Sequence, residues 1–236
     1  MTETINLSQI LFLDIETVPQ TAEYSELSDK MKLLWDKKAQ KISQNPDETP
    51  TSIYPRAGIY AEFGKIICIV VGYFHENKFR IKSFSGDDEA KLLTDFAQML
   101  EGFQQRKDPK LCGHNAKEFD FPYLCRRMII HRIHIPDVLN ASGKKPWETS
   151  FLDTMDMWRF GDYKNYTSID LLTSIFGIQT PKDDIDGSMV CEYYWQRNEL
   201  KTIVSYCKKD VLAVAQVYLR LQNLSPISED QIVYVD

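Results

Sequence analysis

A chain of 236 residues with 43% hydrophobic and 26% charged content is long enough for one sizeable core and has an ordinary globular composition. Its longest apolar segment, Ile66 to Phe74, is strand-sized and far short of the ~20 residues a membrane span needs. The formal net charge of −6 argues against broad duplex binding through a basic surface, but not against a nucleic-acid enzyme, because carboxylates that gather cations are neutralised where they stand.

The N-terminal MTETINLSQ has neither the basic start nor the apolar stretch of a secretory signal, so a cytoplasmic location is expected. Residues 10 to 16 then read as a first strand: Ile10, Leu11, Phe12 and Leu13 stop at Asp14, and Glu16 follows. A polar, helix-prone stretch runs from Tyr24 to about Ser43, and the irregular QNPDETPTSIYP comes after it; residues 21–63 read as an insertion or lid between strands. KIICIVVGYFH (65–75) predicts a central strand, with KFRIKSF (78–84) as its hairpin partner across Glu76 and Asn77. Leu93, Phe96, Ala97, Leu100 and Phe103 fall at helical spacing, with acids in the first turn where the helix dipole favours them. KLCGHN (110–115) predicts a short strand, FPYLCRRMIIHR (121–132) a helix, SFLDTMDMW (150–158) a strand, and the chain from Ser168 onward is mainly helical. This order predicts a single α/β domain with a mixed sheet covered by helices on both faces.

Cys68, Cys112, Cys125, Cys191 and Cys207 are widely spread and form no C-x-x-C pair, which predicts reduced, mostly buried thiols rather than a zinc site or a disulfide framework. Three acidic constellations carry more. Asp14 and Glu16 are two apart and therefore share a strand face, where they repel unless they share a proton or a cation. Asp120, in HNAKEFDFPYL, falls at or near a helix start, where an Asp also has an ordinary use as a cap. Tyr206 and Asp210, in YCKKD, are adjacent on one side of a helix, where a structural hydroxyl–carboxylate bond would equally place them.

DIET, then N-x-x-x-F-D, then Y-x-x-x-D, in this order, resembles the three motifs of the DEDDy branch of the DnaQ-like 3′-to-5′ exonucleases, above all the proofreading domain of family-B DNA polymerases and its stand-alone relatives. The likeness runs from Ile10 to about Leu221. It implies a ribonuclease H-like mixed five-stranded sheet. It also implies that Asp14, Glu16, Asp120 and Asp210 hold two divalent ions, Mg²⁺ or Mn²⁺, a role that suits hard cations and carboxylate oxygens. Tyr206 would orient the attacking water; the histidine branch has its histidine five residues before the Asp, where this chain has Ser205. Thr17, Asn115 and Phe119 would meet the terminal nucleotide. The implied substrate is the 3′ end of single-stranded nucleic acid, DNA rather than RNA.

Weaker signals surround these. Asp153 ends a probable strand and is a further acid to place. Arg126, Arg127, His131, Arg132, Lys144, Lys145, Lys208 and Lys209 would suit a phosphate path, although charge runs are usually solvated faces. Tyr163, Tyr166, Tyr193, Tyr194 and Trp195 could stack on bases, although packing explains most of them. Two rivals stand beside the nuclease reading. A noncatalytic nucleic-acid binder would not need all five motif residues, and a haloacid-dehalogenase-like phosphatase expects Asp at Glu16 and leaves Asp120 and Asp210 unexplained.

Overall fold

The computed structural model describes residues 6–162, 164, 166–178 and 185–235. Its sheet is built from β1 (Ile10–Pro19), β2 (Gly64–His75), β3 (Lys78–Ser85), β4 (Lys110–Gly113), β5 (Phe151–Asp153) and β6 (Ile232–Tyr234), in the spatial order β5, β4, β1, β2, β3, β6. The β1–β2 and β2–β3 pairs are antiparallel; β1–β4, β4–β5 and β3–β6 are parallel. Glu76 and Asn77 have φ of 49° and 61°, the left-handed pair that a two-residue hairpin turn needs to match strand twist. The mixed sheet is as expected, with six strands in place of five. The added strand, β6, is only three residues long and pairs with Phe79, Arg80 and Ile81, a partnership too remote in sequence to leave a local pattern.

The helices are α1 (Asp29–Ile42), α2 (Glu89–Phe103), α3 (Asp120–Ile130), α4 (Thr154–Arg159), α5 (Ile169–Phe176), α6 (Val190–Trp195) and α7 (Leu200–Leu221). Strand alternation sorts β1 between two cores. Leu11, Leu13 and Ile15 join Leu93, Phe96 and Leu100 of α2 and Leu124 and Met128 of α3. Ile10 and Phe12 face the other way, into Cys207, Val211, Val214 and Tyr218 of α7. Asp14 and Glu16 continue this second row, so the same alternation that buries Phe12 delivers both carboxylates to the α7 side. The predicted strand over 150–158 is corrected: it ends at Asp153, whose side chain accepts hydrogen bonds from the Met155 and Asp156 N–H groups and starts α4.

Residues 20–63 carry their own small core. Trp35 is fully buried among Tyr54, Phe63 and Ala39, and its indole N–H donates to the Pro50 carbonyl at 2.8 Å. The end of this segment lies against β1: a side chain at Gly58 would press on the Val18 backbone at 3.0 Å. α3 fastens it there. Tyr123 Oη donates to the Gly58 carbonyl (2.7 Å) and Arg127 Nη1 to the Ala61 carbonyl (2.8 Å).

Candidate active site

The site lies where β1 outruns its neighbour. Parallel pairing with β4 reaches only from Ile10 to Phe12, so the Ile15 N–H loses its ladder partner. Asp120 Oδ1 accepts it at 3.1 Å. Asp120 is the first residue of α3 and its N-cap is Phe119, so the capping reading of Asp120 is not realised. The carboxylate instead joins the end of α3 to the strand that carries Asp14 and Glu16.

α7 closes the other side. Cys207 sits directly over β1, its thiol donating to Asp14 Oδ2 at 3.2 Å. Tyr206, packed against the cluster of Val18, Tyr193 and Ile203, directly precedes it, and Asp210, to which the Tyr206 hydroxyl donates, lies about one turn further on. One oxygen each of Asp14 and Glu16 and the Cys207 sulfur lie within 4.8 Å of one another.

Electrostatically the cluster is a concentration of like charge, with Glu16 and Asp120 buried and Asp14 and Asp210 partly exposed. Burial, followed by the charges of Asp120, Glu16 and Asp210, raises the Asp14 carboxyl well above the usual carboxylate range. Burial and then Asp210 do the same to Glu16, which is 8% exposed and receives no hydrogen bond from a described residue. Asp120 is pushed up to about 7 by burial, against the pull of the backbone N–H groups that it accepts. Burial and the neighbouring Asp210 and Glu16 charges raise the Tyr206 phenol, which stays protonated and donates to Asp210.

The structure thus brings together Asp14, Glu16, Asp120, Asp210 and Tyr206 from three separate segments. Asn115 sits in the turn after β4 with φ 61°; its N–H donates to Asp153 Oδ1 at 2.9 Å, and its side-chain Oδ1 is buried without a hydrogen-bond partner. Phe119 packs on Tyr123, ring centroids 5.4 Å apart. The Thr17 hydroxyl donates to the Tyr123 phenol.

Asp153 is close enough for its charge to raise Asp120, but its own oxygens are taken: it accepts from the Asn115, Lys117, Met155 and Asp156 N–H groups. It holds the turn that presents Asn115 and Asp120. Of the basic residues, Arg127 and His131 belong to no surface path. Arg127 is buried against Glu89 at 2.5 Å and His131 bonds the same carboxylate at 2.8 Å. Arg126, Arg132, Lys144 and Lys145 are exposed. Tyr193 and Tyr194 are buried and Trp195 donates to the Pro19 carbonyl, whereas Tyr166 is 66% exposed; Tyr163 lies outside the described residues. Cys207 and the bracing role of Tyr123 went unread in the sequence. Cys207 is one of the apolar stripe of α7, and only the strand opposite gives it another meaning.

Comparison with protein families finds that residues 59–232, roughly three quarters of the chain, match the model of a predicted 3′-5′ exonuclease related to the exonuclease domain of PolB. The chain belongs to this family. The matched part of this exonuclease relative includes Asp120, Tyr206 and Asp210 but begins after Asp14 and Glu16, so it is the β1–β2 pairing that ties the first motif to the rest. The six-stranded mixed sheet agrees with the ribonuclease H-like architecture of such exonucleases. No curated protein matches the chain. Among the described residues no helix is long and apolar enough to cross a membrane.

Proposed function

We propose that this protein is a metal-dependent 3′-to-5′ exonuclease that hydrolyses phosphodiester bonds at the 3′ end of single-stranded nucleic acid, DNA in preference to RNA, and releases nucleoside 5′-monophosphates. One observation carries the reading: the convergence of Asp14, Glu16, Asp120 and Asp210, from β1, α3 and α7, on a shared, partly buried position with Tyr206 bonded to Asp210. Four acids held together, two of them buried, are costly alone and favourable around cations, and their oxygens suit Mg²⁺ or Mn²⁺. Asp14, Glu16, Asp120 and Asp210 would hold two such ions, which when bound supply charge to the attacking and leaving oxygens of an in-line displacement.

The remaining roles fall to the chain's own groups. The protonated Tyr206 phenol holds Asp210 and orients the attacking water. Asn115 and Phe119 contact the terminal sugar or pack beneath it, and Thr17 borders the same subsite. Residues 21–63 are an insertion in a single exonuclease domain spanning the chain. The test is a 5′-labelled single-stranded oligonucleotide, as DNA and as RNA, with Mg²⁺ or Mn²⁺. A ladder shortening from the 3′ end, faster on DNA, with 5′-monophosphate products supports the proposal; shortening from the 5′ end, or no cleavage with either ion, contradicts it.

A further inference from the structure

Cys207 puts a thiol beside the carboxylates, a group for which the proposed exonuclease chemistry has no use. The residue is fully buried, so α7 fixes where the sulfur lies. That place is 3.2 Å from Asp14 Oδ2 and within 4.8 Å of a Glu16 oxygen. Glu16 is itself more than nine-tenths buried, has no hydrogen-bond donor among the described residues, and points an oxygen into the same space. Two carboxylate oxygens and one sulfur are a mixed donor set. Carboxylates alone favour hard cations, whereas a thiolate shifts preference towards Zn²⁺ and its softer congeners.

We propose that Asp14, Glu16 and Cys207 form a binding site for a thiophilic divalent cation of the Zn²⁺ and Cd²⁺ class, with Cys207 Sγ as a direct ligand. The proposal rests on the reading of Asp14 and Glu16 as cation ligands and adds a third donor to them. On binding, the thiol gives its proton to solvent and a metal–sulfur bond forms; nothing is oxidised or reduced. Such an ion takes the position otherwise open to a hard one, so the exonuclease carries a built-in susceptibility to displacement by thiophilic metals.

Cd²⁺ is the probe, because its bond to a thiolate has an ultraviolet charge-transfer band. The full-length, metal-free protein titrated with Cd²⁺ should develop this band with one ion per chain. Cys207→Ser should lose it and bind Cd²⁺ roughly tenfold or more weakly, on the scale of lost metal-site interactions. Cys68→Ser, which removes the buried thiol behind Cys207, should keep it. X-ray absorption on the wild-type protein with one equivalent of Zn²⁺ needs no variant: a sulfur at about 2.3 Å beside oxygen ligands is the expected shell. A shell of oxygen and nitrogen only, no band in the wild type, or a band undiminished in Cys207→Ser overturns the proposal. The exonuclease reading fails separately. A protein with the cadmium–thiolate band but no nuclease activity keeps this site and loses that reading, and a nuclease with an oxygen-only shell does the reverse.

Discussion

Asp14, Glu16 and Asp120 are each held at a cost. Asp14 is raised by burial and by the charges of Asp120, Glu16 and Asp210, and Glu16 by burial and by Asp210, so removing one charge should relieve the metal-free fold while destroying the cluster. Asp14→Asn is expected to raise the melting temperature of the metal-free protein, by an amount worth about 1 kcal/mol, the usual gain when a strained functional group is relaxed. Thermal unfolding in a chelator measures it. Tyr206→Phe keeps the ring packing and removes one donor. It should lower kcat up to about 10²-fold with little change in KM, the signature of lost positioning and not of lost binding. A separate residue sets a pH response. His114 lies between the Thr154 hydroxyl (2.9 Å) and the Thr167 carbonyl (2.8 Å), and burial lowers its pKa below the ordinary 6.5. The unfolded chain then takes up a proton that the folded one refuses. This contribution to stability is whole above pH 6.5 and is lost as pH falls through the lowered value. Urea unfolding across that range should show the loss in the wild type and less of it in His114→Gln.

At the level of elements, short β4 leaves β1 projecting, and Asp153 turns the chain back under it. Asp153→Ala would strip partners from four backbone N–H groups and uncap α4, so a destabilisation of about 2–4 kcal/mol in urea unfolding is expected. The same residue explains a misreading. SFLDTMDMW is short and rich in apolar residues, yet Asp153 caps a helix there, and short apolar runs do not by themselves distinguish the two periods. Where local pattern is strong the sequence is legible: β1, the β2–β3 hairpin, α2 and the apolar face of α7 all follow their periodicity. Arg127 is not legible, because its partner Glu89 lies 38 positions earlier and only the fold joins them. Cys207 is opaque for the same reason: its meaning comes from Asp14, 193 positions away.

For the whole molecule, the motif order made the acidic site readable although its members are scattered from residue 14 to residue 210. It did so because the sheet brings three segment ends to one place. If that place is a cation site, the native state binds ions that the unfolded chain does not. Mn²⁺ at ~100 times its dissociation constant should then stabilise the protein by about 2.7 kcal/mol, a rise of roughly 5–10 °C for a chain of this size. The rise should be largely lost in Asp14→Asn. Whether these four carboxylates carry phosphodiester hydrolysis is decided by comparing the wild type with folded Asp14→Ala and Asp210→Ala on a 5′-labelled single-stranded DNA in Mg²⁺. The wild type should give a 3′-shortened ladder and each variant a rate lower by about 10²–10³-fold or more. A ladder that either variant produces at the wild-type rate would contradict the account.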